Sequence, residues 1–273
     1  NAEKDPGKFH GIGKFDPETG KVLASSDKPT YSKVMGDYLT ELAEKDSRIV
    51  AITAAMGDAT GLGGFAEKYP ERFFDVGIAE QHAVTFAAGL AKAGMRPFVC
   101  IYSSFLQRAY DQILEDVCMQ ELPVTFMIDR AGIVGADGET HHGIFDLSYL
   151  ATMPHLSVLA PTSDETLRES MDYAMEQGGP CAIRYPRGEI MTEEEGRLPS
   201  LLYYNRTMEY GSAPLADRVE LLGVGKMAGI GREVFVRLLE KGVQARYQDV
   251  NIVKPIETSI NAMNTLRGDL IVT

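Results

Sequence analysis

The chain has 273 residues, of which 44% are apolar, and a formal net charge of −12 at pH 7. This composition predicts a soluble protein with one large core and part of a second, in one and a half to two domains. The acidic balance argues against a nucleic-acid surface and against binding to anionic lipid. No apolar run reaches the length of a membrane span, and residues 1 to 6 lack the basic and apolar regions of a signal peptide. We therefore expect a cytoplasmic protein.

The three cysteines are scattered along the chain and form no Cys-x-x-Cys pair. Two of them, Cys100 and Cys181, lie in apolar runs that resemble strands, and the third is Cys118. The pattern indicates buried free thiols in a reducing compartment rather than disulfides or metal ligands.

Residues 1–29 are rich in Gly, Pro, Lys and Asp without sustained periodicity, which predicts a connecting arm. From Thr30, a candidate helix cap, apolar strands alternate with helical patterns as far as residue 187. Strands such as 123–128 are apolar on both faces, so we predict an α/β fold with an open, mostly parallel sheet flanked by helices. The predicted helices are 31–46, 79–93, 104–120, 145–152 and 163–177, and the predicted strands are 48–54, 96–101, 122–128, 156–160 and 181–185.

The pattern breaks over residues 188–216, where charged residues and prolines predict a domain linker. A second α/β pattern occupies 217–273. Its predicted elements are a strand from 219, a helix near 229–241, a strand near 243–249 and a last strand at 269–273. Because it ends on a strand without a closing helix, we expect this second domain to be truncated.

One carboxylate begins an otherwise apolar helix. Residues 74–89 place Glu80, followed by Gln81 and His82, in its opening turn. A carboxylate that enters a core needs a partner or a proton, and it can hydrogen-bond a ligand nitrogen. The alternative is that Glu80 complements the helix dipole from an exposed first turn. The residue alone does not decide between the two.

Arginine and aromatic residues follow the carboxyl ends of the predicted strands, the edge at which open α/β sheets bind ligands. They are Tyr102, Phe105, Arg108, Arg130 and Arg187. Taken singly, an arginine in such a position is more often solvated or salt-bridged, and a phenylalanine is more often part of the core.

The loop from Gly132 to Gly143 contains four glycines in twelve residues, which lets a backbone approach a ligand or move. It carries Asp137 and His141. Histidine titrates near neutral pH, so proton transfer by His141 is feasible. Asp137-Gly138 is also a common turn sequence, and the pair His141-His142 also suits a surface loop.

These segments and several others resemble, in the same order, the thiamine-diphosphate enzymes of the transketolase group. The likeness is greatest to the 1-deoxy-D-xylulose-5-phosphate synthases, and it covers nearly the whole chain. The segments that carry it are 8–11, 14–16, 74–89, 101–112, 129–138, 140–150 and 184–188.

The resemblance implies a pyrimidine-binding domain over 30–187 and part of a carboxyl-terminal domain over 217–273. It implies that Glu80 hydrogen-bonds the aminopyrimidine of thiamine diphosphate, so that the cofactor can form its nucleophilic carbon. Phe105 would stack on the same ring, and Ile78 would be a further cofactor contact.

The resemblance also assigns a substrate shell, in which arginines receive the phosphate of glyceraldehyde 3-phosphate and the carboxylate of pyruvate. His141 would relay protons, Asp137 would steady the loop, and His82 is a further candidate. The implied reaction condenses pyruvate with D-glyceraldehyde 3-phosphate, giving 1-deoxy-D-xylulose 5-phosphate and CO₂ for isoprenoid, thiamine and pyridoxal synthesis. The implied substrate-binding residues are Tyr102, Arg108, Arg130 and Arg187.

A dinucleotide fingerprint is only superficially present. Gly223-x-Gly225-x-x-Ala228 follows a predicted strand, and Asp249 lies roughly twenty residues further on. The corresponding domain has no nicotinamide role in the family that the chain resembles. We therefore interpret the segment as a strand-to-helix turn.

In that family, Mg²⁺ holds the cofactor's diphosphate on a Gly-Asp-Gly motif with a later Asn, in an amino-terminal domain. This chain has no such pair, since Gly57-Asp58-Ala59 lacks the second glycine. We therefore expect no metal ligands in this chain. We expect the chain to be a fragment of a homodimeric enzyme and to be inactive alone. The alternatives are the pyrimidine-side subunit of a split transketolase or 2-oxo acid dehydrogenase E1 enzyme, and a non-catalytic assembly subunit. The arm at 8–16 and the arginines argue against the split subunit. Glu80, Phe105 and the arginines argue against the non-catalytic subunit.

Overall fold

The computed structural model describes residues 3, 15–22, 28–191, 205–210, 219–255 and 270–272. The segment at 8–11, most of the predicted arm and much of the predicted linker lie outside these residues. Within the described part of the chain, no helix is long and apolar enough to cross a membrane.

The first part of the chain alternates strands and helices, as predicted. Its helices are α1 Tyr31–Lys45, α2 Gly63–Lys68, α3 Glu80–Lys92, α4 Asp146–Thr152 and α5 Asp164–Gln177. Its strands are β1 Ile49–Thr53, β2 Phe73–Asp75, β3 Arg96–Tyr102, β4 Thr125–Asp129, β5 Ser157–Leu159 and β6 Cys181–Arg184. The N-cap of α1 is Thr30, whose side chain accepts the Lys33 N–H at 3.2 Å, as expected for a cap.

The remaining elements are β7 Asn205–Tyr210, β8 Val219–Val224, α6 Met227–Glu240, β9 Ala245–Val250, β10 Ile252–Lys254 and β11 Leu270–Val272. The first sheet has the order β10-β5-β6-β4-β3-β1-β2 and is parallel except at the β10–β5 pair. The prediction of an open, mostly parallel sheet is therefore confirmed. The second sheet has the order β11-β8-β9-β7.

Helices cover both faces of the first sheet. Phe98 and Cys100 of β3 point towards α1 and α5, whereas Val99 and Ile101 point towards α3 and α4. Both faces of the sheet are buried, which explains why its central strands β1, β3 and β4 are largely apolar. All three cysteines are buried and free, as predicted. Burial raises the pKa of the Cys118 thiol to about 12.

The predicted helix over 104–120 is a broken helical segment instead. It consists of a short α-helix Ser103–Leu106, a 3₁₀ turn Gln107–Ala109, a further α-turn Tyr110–Gln112 and a π-helix Ile113–Cys118. The apolar spacing of such a mixture is close to that of a regular helix, so the sequence pattern did not reveal the breaks. Irregular turns of this kind often occur at functional sites.

Three strands, β2, β7 and β10, were not predicted because they are short or polar. β2 pairs parallel with β1 at one edge of the first sheet. β7 lies inside the predicted linker and pairs antiparallel with β9 at the edge of the second sheet. Only one residue, Asn251, separates β10 from β9, yet β10 pairs with β5 of the first sheet, with Ile252 opposite Leu159. An edge strand needs no apolar residues on both faces and therefore gives a weak signal.

The glycine motif after β8 is a strand-to-helix turn, as we interpreted it. A Cβ on Gly223 would lie 2.6 Å from both the Ala228 Cα and the Tyr247 hydroxyl, so the glycine allows close packing of α6. Asp249 is buried, and its Oδ2 accepts the Thr162 hydroxyl at 2.9 Å. A buried carboxylate with that partner is not placed to bind a ribose.

Candidate active site

Glu80 is the first residue of α3 and only 2% exposed. This excludes the alternative of an exposed first-turn carboxylate, although the group does lie at the positive end of the helix. Arg108, which is half exposed, donates from Nη1 to Glu80 Oε2 at 2.6 Å. No described residue donates to Oε1. One carboxylate oxygen is therefore held, and the other is available to a ligand.

The turn that delivers Glu80 is fixed by Asp75, at the end of β2. Its Oδ1 accepts the N–H groups of Ala55 at 2.8 Å and Gly77 at 2.9 Å. Both of those residues have left-handed backbones, with φ of 60° and 71°. Our sequence analysis gave Asp75 no role, although an Asp two residues before a Gly is a turn signal. Ile78, in the same turn, is 77% exposed and available for contact.

The aromatic candidates form one connected group. Tyr102, the last residue of β3, stacks on Phe105 with ring centroids 5.6 Å apart. Phe105 in turn meets the ring of His141 edge-on at 5.3 Å, which joins the broken helical segment to the glycine-rich loop. Burial raises the pKa of Tyr102 to about 12, so its phenol is neutral near pH 7.

The two oxygens of Asp137 each hold one arginine. Arg130 donates from Nε to Oδ2 at 3.1 Å, and Arg187 Nη1 lies 2.6 Å from Oδ1. The Arg130 guanidinium also lies over the Tyr102 ring, 3.8 Å from its centroid, which is a cation–π distance. The structure therefore brings Tyr102, Arg130, Asp137 and Arg187 together at the carboxyl ends of β3, β4 and β6.

The loop is closed at its base by an exchange of hydrogen bonds between Gly132 and Gly143, at 2.7 and 2.8 Å. A Cβ on Gly143 would lie 2.4 Å from the Ser103 Oγ and 2.6 Å from the Arg130 carbonyl, so only glycine fits there. His142 accepts the Val134 N–H on Nδ1 at 3.1 Å and pins the loop from within. Our sequence analysis gave His142 no role of its own.

Arg184, the last residue of β6, differs from Arg187, which follows three residues later. Its Nε donates to Asp146 Oδ2 at 2.8 Å and its Nη2 to Oδ1 at 3.3 Å. Asp146 is the first residue of α4 and 1% exposed. This buried ion pair ties α4 to the sheet, so Arg184 has a structural partner and Arg187 remains with the site.

His82 is not part of this group. It lies on α3, exposed, and stacks on Phe86 one turn further along with centroids 6.0 Å apart. Among the described contacts it reaches none of the other candidate site residues.

A cavity of about 830 Å³ opens beside the arginines, next to the first turn of α1. Arg130 and Arg187 line it together with three lysines, against two carboxylates, so its charge favours an anion. Further lining residues are Lys28, Ser32, Lys33, Asp58, Glu189 and Lys226. In the described part of the chain, no cluster of three or more His, Cys, Asp or Glu side chains could hold a metal ion.

A family profile described as "Transketolase, pyrimidine binding domain" matches residues 27–192, which include every candidate site residue named from the sequence. The chain belongs to this family. The match covers the first sheet without β10.

Curated relatives are named 1-deoxy-D-xylulose-5-phosphate synthase. The one from Natranaerobius thermophilus is 52% identical over 94% of this chain, and synthase 2 from Geobacter sulfurreducens is 46% identical over the full length of this chain. The chain spans 41% and 43% of these relatives, respectively.

Two solved structures share the fold of this family member. A split-gene transketolase, described as an inactive beta4 tetramer, is 26% identical with a TM-score of 0.71, covering 90% of this chain and 79% of that chain. Transketolase from Campylobacter jejuni has a TM-score of 0.77 at 17% identity, covering 90% of this chain and 39% of that chain.

Proposed function

We propose that this chain is the pyrimidine-binding part of a thiamine-diphosphate-dependent 1-deoxy-D-xylulose-5-phosphate synthase. The whole enzyme would condense pyruvate with D-glyceraldehyde 3-phosphate, giving 1-deoxy-D-xylulose 5-phosphate and CO₂. The observation that carries the proposal is the buried Glu80 carboxylate, with one oxygen held by Arg108 and the other available. The names of the curated relatives support the same reading.

The residues present fit the cofactor's aminopyrimidine. Glu80 offers a buried carboxyl to a ring nitrogen, and Phe105 offers an aromatic face. Ser103 and Ser104 contribute buried hydroxyls that have no partner among the described residues, and a ring amino group would satisfy such an oxygen. When bound, thiamine diphosphate would supply the nucleophilic carbon and the electron sink for decarboxylation.

The chain's own residues would bind and orient the two substrates. Arg130 and Arg187 present guanidinium groups to the cationic cavity, which suits a phosphate or a carboxylate. His141 would exchange a proton at Nε2, because Thr140 Oγ1 lies 3.0 Å from its Nδ1. Tyr102, neutral near pH 7, would act as a hydrogen-bonding phenol.

The rest of the site would come from segments outside this chain. We propose that they bind the diphosphate and Mg²⁺, because the described residues offer no ligand cluster and the relatives are more than twice as long. The enzyme would work in the cytoplasm as a homodimer, and this chain alone would be inactive.

The test is formation of 1-deoxy-D-xylulose 5-phosphate from both substrates with thiamine diphosphate and Mg²⁺. The assay compares this chain alone with a polypeptide that also carries the upstream segment of a curated relative. We expect product only from the longer polypeptide. Product from the chain alone would contradict the proposed division of the site, and no product from either would contradict the function.

A second candidate is the pyrimidine-side subunit of a split enzyme. It is favoured by the split-gene transketolase, most of whose chain is covered by this one. Supplying the upstream segment as a separate polypeptide tests it, because a natural subunit should gain full activity without covalent linkage. The third reading, a non-catalytic assembly subunit, gives no reason to keep a buried acid such as Glu80.

A further inference from the structure

Beneath Arg130 lies a buried carboxylate that the proposed mechanism does not use. Asp129, the last residue of β4, has no exposed surface. Its Oδ1 accepts the N–H of Arg130 at 2.6 Å, and its Oδ2 accepts the Ser32 hydroxyl at 2.6 Å. Both oxygens are therefore held by short hydrogen bonds.

Arg130 has an unusual backbone at this point. Its φ is 57°, a left-handed conformation that costs a non-glycine residue about 1–3 kcal/mol and persists only where the surroundings enforce it. The N–H that Asp129 accepts belongs to this strained residue. The Arg130 Nη1 also lies 3.6 Å from Asp129 Oδ1, so the carboxylate contacts both the backbone N–H and the guanidinium of Arg130.

Ser32 comes from a distant part of the chain, the first turn of α1, and lines the cationic cavity. Its hydroxyl reaches Asp129 across a separation of 97 residues. The Thr30 cap fixes the first turn of α1, so the Ser32 hydroxyl has a defined position from which it holds the Asp129 carboxylate.

We propose that Asp129 and Ser32 are positioning residues that set the direction of the Arg130 side chain and thereby the preference of the site for a phosphorylated aldehyde. The inference rests on the proposed function for the identity of the substrate. Without Asp129, Arg130 would relax towards an ordinary backbone conformation. Its guanidinium would then leave the place between Tyr102 and Asp137 from which it faces the cavity.

The electrostatics give independent support. Burial raises the pKa of Asp129 to about 6, against the opposing effects of the Ser32 hydrogen bond, Arg130 and Arg187. Because the folded-state pKa lies above the ordinary value, the carboxylate costs stability as pH rises from about 4 through 6. The other titratable groups that sense it, Tyr102, Tyr185 and Cys100, have raised pKa values and are neutral near pH 7.

If position 129 served stability alone, an asparagine there would therefore stabilise the folded chain at neutral pH at least as well as the aspartate. Asp129→Asn keeps an acceptor oxygen but loses the charge that attracts the Arg130 guanidinium. We expect it to unfold at the same or a higher temperature than wild type at pH 7.5 while its catalysis is weaker. A fall in both properties would indicate a structural role and overturn the proposal.

The kinetic test uses the longer polypeptide with the upstream segment. It compares kcat/KM for D-glyceraldehyde 3-phosphate with that for unphosphorylated D-glyceraldehyde. We expect Asp129→Asn to reduce the preference for the phosphorylated aldehyde by about tenfold, the size of one charged hydrogen bond, and Ser32→Ala to reduce it by less. In an Arg130→Ala background, Asp129→Asn should add little. Additive losses, or equal losses with both aldehydes, would overturn the proposal.

The matched control is Asp146→Asn. Asp146 is equally buried and also contacts an arginine, but its partner Arg184 is structural. This variant should lose heat stability and affect both aldehydes equally. A change of preference there as large as in Asp129→Asn would contradict the assignment.

A binding measurement distinguishes failure of the proposed synthase function from failure of the positioning role of Asp129. If the wild-type polypeptide forms no product, the proposed function fails, and calorimetry with inorganic phosphate still tests the positioning role. Asp129→Asn and Arg130→Ala should then weaken phosphate binding by similar factors. Unchanged phosphate binding in Asp129→Asn would overturn the inference whether or not the enzyme is active.

Discussion

The charged side chains of this site are paired with one another in the absence of a ligand. Glu80 is held by Arg108, and Asp137 is shared between Arg130 and Arg187. Such pairing keeps each group in place before any ligand arrives, which lowers the entropy lost on binding. It also leaves Glu80 Oε1 without a donor among the described residues, so a ring nitrogen could bind there without displacing Arg108.

Glu80→Ala in the longer polypeptide should remove most turnover while the fold remains. We expect turnover to fall by about 10²- to 10⁴-fold, the range for removal of a group that acts on a proton. Arg108, left without its partner, is half exposed and can be solvated. Circular dichroism and product formation measure the two effects. The control is Glu67→Ala, an exposed glutamate on α2, and unchanged turnover in Glu80→Ala would contradict the role.

Arg187→Ala should weaken the apparent affinity for glyceraldehyde 3-phosphate more than that for pyruvate. Loss of a charged hydrogen bond costs about 1.5–3 kcal/mol, which corresponds to roughly tenfold or more in KM for the aldehyde. Steady-state kinetics with each substrate varied in turn measure it. Arg237→Ala, an exposed arginine paired on α6, should change neither value. Equal effects of Arg187→Ala on both substrates would count against a phosphate contact.

At the scale of elements, the Asp146–Arg184 pair fastens α4 to the end of β6. Arg184→Ala should lower the free energy of unfolding by about 3–5 kcal/mol, because it leaves a buried carboxylate without its partner. Urea denaturation measures the loss. An unchanged midpoint would show that Asp146 finds water or another donor.

The glycine-rich loop is seated on the broken helical segment through one glycine. Gly143→Ala would place a Cβ against the Arg130 carbonyl and Ser103, so the loop base must shift. We expect a stability loss of about 1–3 kcal/mol and a fall in turnover, because Asp137 and His141 move with the loop. Gly64→Ala, with open space around its Cβ, is the control. Hydrogen exchange over 132–143 should rise only in the first variant.

The sequence predicted the strands and helices better than the side-chain pairs that join them. The parallel strands of the first sheet other than β2 were predictable, because burial on both faces makes them apolar from end to end. Tyr102 and Arg130 could then be placed at one edge, since parallel strands end together. The Glu80–Arg108 and Asp129–Ser32 pairs could not be foreseen, because they join residues 28 and 97 positions apart. The polar strand β7 and the three-residue strands β2 and β10 carry no such signal.

At the scale of the whole molecule, the three thiols report on global unfolding. Cys100, Cys118 and Cys181 are buried, and burial raises their pKa values, so little reactive thiolate forms at pH 8. We expect a colorimetric thiol reagent to modify none of them in the folded chain and all of them in denaturant. Rapid modification without denaturant would show that one core opens locally.

The crossing of the chain from β9 into β10 bears on how the protein can be dissected. The family match ends at residue 192, but the outer edge of β5 is covered by Ile252–Lys254. A polypeptide cut to the matched residues would expose the backbone N–H and C=O groups of β5 along an open sheet edge. Such an edge recruits strands from neighbouring molecules, so the excised domain should aggregate where a chain extended through residue 255 would not.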